Sequence, residues 1–164
     1  MKKTNKGFTL VELIVVIAII GVLAAILVPS LMGYVADSKL SAANANAKQV
    51  YQAAATAATK LEVKGEGGVS GRSKHKINGT AYRTGVPSYQ DINAQLGSGS
   101  DMSYYVEFVD GFPTVCFAAK TENDLYVGSY PVEATAKCKK PLKELDESPT
   151  YTKSQKANDT SVLG

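Results

Sequence analysis

A single carboxylate interrupts the most apolar stretch of the sequence. From Phe8 to Val28 the only charged side chain is that of Glu12. A helix over this range would be about 30 Å long, which is the thickness of a bilayer core. A carboxylate inside such a helix costs roughly 2.5 to 3.5 kcal/mol on insertion scales. Its presence indicates a function and requires a cation to neutralise it, although a carboxylate that reaches the headgroup region is the alternative.

The single histidine lies in the densest basic cluster after the apolar run, which consists of Arg72, Lys74, His75 and Lys76. This cluster follows a glycine-rich connector, which favours an exposed loop over a catalytic pocket. Contact with DNA or another acidic surface is possible, but no pattern typical of a nucleic-acid-binding fold accompanies the cluster. With two cysteines and one histidine the chain is also short of the four ligands of a usual zinc site. We therefore predict no enzyme, metal or cofactor.

The charge of the chain is concentrated at its N-terminus. The formal net charge is +3, and without Lys2, Lys3 and Lys6 the sequence would hold 15 basic and 15 acidic residues. Basic residues before an apolar run predict a cytoplasmic N-terminus with the rest of the chain outside the membrane. A cleaved secretory signal fits less well, because the run continues through Pro29 into helix-forming sequence without a small-x-small cleavage site.

The segment Lys2 to Glu12, KKTNKGFTLVE, resembles the prepilin signature of type IV pilins and pseudopilins. The resemblance implies cleavage between Gly7 and Phe8 by a prepilin peptidase, and N-methylation of Phe8. It also implies that Glu12 acts in assembly, because the new ammonium group of Phe8, in the same or a neighbouring subunit, could neutralise it. The family tolerates helix breaks, and the matching positions here are Gly21, Pro29 and Gly33. Proline removes a hydrogen bond, so a kink near residues 25–29 is expected.

The resemblance also implies a function. We expect a structural subunit of a type IV pilus that is held in the bacterial cytoplasmic membrane and then polymerised into an extracellular filament for adhesion, motility or DNA uptake. Its partners would be copies of itself, membrane lipid before assembly, the prepilin peptidase, and an inner-membrane assembly platform with its ATPase. A pseudopilin of a type II secretion or competence system is the alternative, and binding to nucleic acid has no further support.

Beyond Pro29 the helical pattern becomes amphipathic. Small apolar residues recur at spacings of three and four, which predicts one buried stripe; its members are Ala36, Leu40, Ala43, Ala47, Val50, Ala54, Ala57 and Leu61. The polar residues predicted to lie off this stripe are Asn44, Asn46, Lys48, Gln52 and Lys60. A helix with this pattern could pack closely against a sheet.

The second half of the sequence predicts a small antiparallel sheet. Residues 102–109 and 112–121 flank Asp110-Gly111, a hairpin signal, and residues 125–132 predict a further strand. The expected helix-facing side chains are Val106, Phe108, Val115, Phe117 and Val127. Ser88 and Asp91 predict the capped start of a short helix, and Asn78-Gly79 predicts a second hairpin.

Cys116 and Cys138 are predicted to form a disulfide, because an even number of cysteines on the exported side favours pairing. A disulfide commonly pins the C-terminal region of the head to its sheet in the family that the sequence resembles. Two buried free thiols are the alternative.

These observations predict an α+β, pilin-like fold in which a long N-terminal helix, apolar and then amphipathic, packs on a small antiparallel sheet. The expected segments are a basic leader at 1–7, a transmembrane or filament-core helix at 8–29, an amphipathic helix at 30–61, a globular head at 62–140 and a polar tail at 141–164.

Overall fold

The computed structural model describes residues 8–75, 85–97 and 101–145, except for the side chains of Arg72, Lys74, His75 and Leu145. The elements in those ranges are α1 (Leu10–Val63), β1 (Gly71–His75), α2 (Tyr89–Leu96), β2 (Ser103–Val109), β3 (Phe112–Ala119), β4 (Gly128–Tyr130) and α3 (Leu142–Leu145). The chain divides into two compact units, Met1–Asp37 and Ser38–Gly164. The α+β arrangement of a long N-terminal helix and a small antiparallel sheet is confirmed.

Helix α1 runs for 54 residues and continues through Pro29 without interruption. In the second unit its buried side chains are Leu40, Ala43, Asn44, Ala47, Val50, Ala53, Ala54, Ala57 and Ala58. The predicted stripe is therefore confirmed from Leu40 to Ala57, while Ala36 and Leu61 are only half-buried. The predicted kink stays a prediction.

The sheet is an antiparallel meander with the strand order β1-β2-β3-β4. The predicted turn between β2 and β3 is confirmed, since Asp110 and Gly111 have φ values of 49° and 81°. Both values are positive, as a two-residue type I′ turn requires. The backbone N–H of Asp110 donates to Ser70 Oγ at 2.9 Å, so the turn is bonded to the connection between α1 and β1.

The two faces of the sheet differ from the prediction. Val106 pairs with Cys116, and an irregularity between Glu107 and Phe108 changes the register near the turn. As a result Val106 and Phe108 pack with α1 together with Cys116 and Ala118. Phe117 and Val127 belong to a second apolar cluster, against which Val115 packs; from α1 this cluster takes Leu40, and its other members include Tyr105, Cys138 and Leu142. The prediction was wrong for β3 because side chains alternate along a strand and the expected set had the opposite parity.

Asn44 is buried and joins α1 to the end of the sheet, although it was predicted to lie off the packed stripe. Its Oδ1 accepts from the backbone N–H groups of Ser129 and Ala134, both at 3.1 Å. Its Nδ2 donates to the carbonyl of Ala134 at 2.9 Å. One polar side chain thus satisfies three backbone groups of β4 and the segment that follows, which explains how an amide can be buried there.

Several element boundaries also differ. Residues 71–75 form the strand β1 instead of a connector and loop, and β4 has three residues where eight were predicted. Leu142 is 1% exposed, so the packed core extends past the predicted head boundary at residue 140. The hairpin predicted at Asn78-Gly79 lies outside the described residues.

The short helix α2 is confirmed with its predicted cap. Ser88 Oγ accepts from the backbone N–H of Asp91 at 3.2 Å, and the Asp91 carboxylate accepts from the backbone N–H of Ser88 at 2.8 Å. This reciprocal pair is a capping box, which satisfies two backbone donors at the start of the helix. Ile92 is fully buried and fixes α2 to the core.

Candidate functional site at the start of α1

Glu12 forms a capping box with Thr9 at the start of α1. Its Oε2 accepts from the Thr9 backbone N–H at 2.8 Å and from the Thr9 hydroxyl at 2.7 Å. The backbone N–H of Glu12 donates to Thr9 Oγ1 at 3.3 Å. The carboxylate is therefore held by two local hydrogen bonds, a third joins the Glu12 backbone to the Thr9 hydroxyl, and α1 begins at Leu10, the next residue after Thr9.

The capping box was missed by the sequence argument, although its signal was present. Thr9 and Glu12 have the Thr-x-x-Glu spacing, which predicts a helix start before an apolar run. The negative carboxylate also lies where the helix dipole favours an anion. Glu12 thus has a local structural role, and the bonds to Thr9 place the carboxylate in a defined orientation on the surface of α1. Phe8 is 83% exposed next to this site, while Gly7 lies outside the described residues.

The first half of α1 presents apolar side chains to its surroundings over its whole circumference. All residues from 8 to 35 are exposed within the chain, including large side chains such as Ile14, Ile17 and Leu23. Among the described elements, α1 has the length and composition to cross a membrane. An apolar surface of this extent marks a membrane or protein interface, because a soluble monomer rarely exposes one.

The three predicted helix-breaking positions all lie within continuous helix. A Cβ atom added at Gly21 or Gly33 would meet nothing within 4 Å. Packing inside this chain therefore does not require glycine at either position. Pro29 has no N–H to donate to the carbonyl one turn earlier, so α1 lacks a hydrogen bond there. The helix is intrinsically weakened at these three points, as the prediction of a break assumed.

The structure describes only part of the predicted basic patch. Arg72, Lys74 and His75 lie in β1, where they pair in register with Glu107, Tyr105 and Tyr104. Their side chains and all of Lys76 lie outside the described part. Strand β1 corrects the expectation of a loop, and contact of this patch with nucleic acid stays a prediction.

Cys116 and Cys138 are both free and buried, so the predicted disulfide is absent from this structure. Cys116 packs with α1. Cys138 packs in the same cluster as Phe117. Phe117 is next to Cys116 in β3, so its side chain points to the opposite face of the strand. Burial raises the pKa of Cys138 to about 11 and the pKa of Cys116 well above its ordinary value. Both thiols are therefore protonated near neutral pH and are poor nucleophiles.

No group of three or more His, Cys, Asp or Glu side chains that could hold a metal ion occurs within residues 8–75, 85–97 and 101–145.

Comparison with known proteins gives one family-model match and several similar pilin and fimbrial proteins. Residues 2–28 match the family model of the prokaryotic N-terminal methylation motif. The chain is 34% identical over 97 residues to the type IV major fimbrial protein FimA of Dichelobacter nodosus. The aligned region is 59% of this chain and 62% of FimA. It is 53% identical over 49 residues to the type IV major pilin protein PilA of Myxococcus xanthus. This aligned region is 30% of this chain and 22% of PilA.

The chain thus spans less than two thirds of the length of either relative. No solved structure is significantly similar to it. The N-terminal methylation motif and the matched pilin and fimbrial proteins support a relationship between this chain and the type IV pilin family.

Proposed function

We propose that this protein is a structural subunit of a type IV pilus, cleaved between Gly7 and Phe8 and polymerised through the first half of α1. The observation that carries the proposal is the exposed apolar surface of residues 8–35 with the ordered carboxylate of Glu12 near its start. Membrane lipid covers this surface before assembly, and copies of the same helix cover it in the filament. The head then faces the exterior.

The apolar surface supports both environments. Helices in lipid gain little from apolar contact with each other, so lipid is an adequate partner for Ile14, Ile17 and Leu23. Outside the membrane the same side chains must be removed from water, and each large aliphatic residue gains about 1.5 to 3 kcal/mol on full burial. Stacking of many copies of α1 provides that burial.

Glu12 supports a defined register for the stacking. Cleavage before Phe8 would create an ammonium group, and a buried carboxylate without a cation is strongly destabilising, by roughly 3 to 5 kcal/mol in proteins. The bonds from Thr9 satisfy part of the carboxylate but carry no full positive charge. The ammonium of Phe8 in a neighbouring copy supplies that charge, so the pair favours one axial position over others.

The test combines electron microscopy with mass spectrometry in a host that carries pilus assembly machinery. We expect surface filaments whose subunit begins at Phe8 with an added methyl group. The Glu12→Gln variant keeps the size and the hydrogen-bonding shape but loses the charge, so it should insert into the membrane and fail to form filaments. The matched control is Glu133→Gln, because Glu133 is an exposed acid of the head.

Normal filaments from Glu12→Gln would overturn the role of Glu12. A membrane-resident mature protein that retains residues 1–7 would overturn the processing step and leave a simple anchored protein. Loss of filaments in Glu133→Gln as well would show that the assay responds to any lost carboxylate, and this result would also contradict the proposal.

A further inference from the structure

A half-open cleft of about 700 Å³ lies in the second unit, between α1 and the connection from β3 to β4. Helix α1 contributes Lys39 and Asn46 to it, the end of β3 is followed by Lys120 and Thr121, and Tyr126 closes one side. The volume is within the usual range for small-molecule sites and is far larger than a single inorganic ion needs. The size and the lining of the cleft therefore suit an organic ligand.

Ammonium groups gather around one aromatic ring at this cleft. Lys39 Nζ lies 5.3 Å from the centroid of the Tyr126 ring, and Lys137 Nζ lies 5.5 Å from the same centroid. A cation over an aromatic face is held by the ring quadrupole, which does not neutralise its charge. The two lysines that line the cleft itself are Lys39 and Lys120, whereas Lys137 lies beside the Tyr126 ring and is not part of the lining.

The cleft also has acceptors and small apolar surfaces. Asp101 and Asp124 line it, and Asp124 Oδ1 accepts from the backbone N–H of Tyr126 at 3.0 Å. A carboxylate has about four lone-pair positions, so it can accept further hydrogen bonds from a ligand. Ala42 and Met102 supply apolar contact. A ligand with several negative charges would be repelled by the two carboxylates, whereas hydroxyl groups would be bound by them.

We propose that this cleft binds an acidic saccharide, a sugar chain that carries a carboxylate on one of its rings. The carboxylate of the sugar accepts from the ammonium groups of Lys39 and Lys120, the two lysines that line the cleft, and its hydroxyl groups bond to Asp101, Asp124 and Asn46. The C–H faces of the ring contact Ala42 and Met102. This combination needs a single negative charge and many hydroxyl groups, which distinguishes an acidic saccharide from nucleic acid or inorganic phosphate.

Isothermal titration calorimetry on the detergent-solubilised full-length chain tests the proposal, with 3′-sialyllactose, a trisaccharide that carries one carboxylate, as the ligand and neutral maltotriose as its counterpart. We expect binding of the acidic trisaccharide only. The double variant Lys39→Gln, Lys120→Gln should weaken the affinity about tenfold or more, because charge-assisted hydrogen bonds are lost. The control is Lys48→Gln, since Lys48 is exposed on α1 and does not line the cleft.

Three outcomes would overturn the site. Equal binding of maltotriose would show that the charge is irrelevant, and an equal loss in Lys48→Gln would show attraction to the overall charge of the protein. Equal heat from sodium acetate at the same carboxylate concentration would show a simple anion effect. Circular dichroism of each variant separates loss of binding from loss of folding. Filament formation is a separate readout, so failure here does not bear on the proposed pilus subunit.

Discussion

Gly128 of β4 lies directly against the backbone of Ala43 in α1. A Cβ atom added to Gly128 would overlap the carbonyl group of Ala43. Both residues are buried. The residues that follow them, Asn44 and Ser129, are joined by a hydrogen bond. The absence of a side chain at Gly128 therefore allows the approach of strand and helix that the Asn44 bonds require.

The Gly128→Ala variant should destabilise the head, because a methyl group there meets main-chain atoms that cannot rotate away. Overpacking of this kind costs about 1 to 3 kcal/mol, occasionally more. Urea unfolding of the detergent-solubilised chain, followed by circular dichroism, would measure the change. The control Gly33→Ala adds its methyl group to open space in α1 and should leave the head transition in place. A Gly128→Ala protein as stable as the native one would contradict the packing described.

Replacement of Asn44 by leucine should also destabilise the head. The substitution would leave the buried N–H groups of Ser129 and Ala134 without their acceptor, at a cost of about 1 to 3 kcal/mol for each group. Hydrogen exchange of those two amides should become faster. Gln49→Leu is the matched control, because Gln49 lies on the exposed side of the same helix. Unchanged exchange in Asn44→Leu would show that the amides have another partner.

Removal of the Thr9 hydroxyl should weaken the start of α1. Thr9→Val keeps the branched shape but loses both hydroxyl bonds to Glu12. Loss of a helix cap costs about 0.5 to 2 kcal/mol. We expect fewer filaments per cell by electron microscopy, with Thr9→Ser as the control that restores the hydroxyl. If Thr9→Val and Thr9→Ser assemble equally well, orientation of Glu12 by Thr9 is unimportant for assembly.

The native protein should contain two thiols that react only after unfolding. Both cysteines are buried and free, and their raised pKa values keep the thiolate fraction small near neutral pH. Reaction with a disulfide reagent should be slow in buffer and complete in denaturant. A mass lower by two hydrogen atoms in the unreduced protein would instead reveal a disulfide and would contradict the separation of Cys116 and Cys138.

Burial of Cys138 predicts a loss of stability in alkaline solution. The pKa of this thiol rises from 9.0 to about 11 on folding, so the folded state binds the proton more tightly than the unfolded state. The stabilisation of the folded state by this protonated thiol is complete below pH 9.0 and is lost as the pH rises toward 11. The difference in unfolding free energy between the native protein and Cys138→Ala should therefore narrow from about pH 9 to about pH 11. A constant difference would contradict the shift.

Local patterns predicted much of this fold. The spacing of Leu40, Ala43 and Ala47 gave the buried side of α1, and Ser88 with Asp91 gave the start of α2, because each signal depends only on neighbouring residues. The Asp110-Gly111 turn was predicted for the same reason.

Long-range relationships were not predicted. The side of β3 that faces α1 depends on the register between Val106 and Cys116 and on the irregularity after Glu107, which no local pattern encodes. The separation of the two cysteines follows from that register. The partners of Asn44 are 85 and 90 residues away in the sequence. No local pattern reveals partners at that separation, and the polarity of Asn44 by itself suggested an exposed side chain.

The bonds between Thr9 and Glu12 also have a consequence for proteolysis. They cap the start of α1 at Leu10, and the Gly7–Phe8 bond precedes Leu10 in the chain. Proteases bind their substrates most readily as extended peptide, and a helical segment must first unwind to enter such a groove. We therefore expect a peptidase that cuts before Phe8 to bind Phe8 and Thr9 without unwinding α1, since the bonds between Thr9 and Glu12 limit how far the helix extends toward the scissile bond.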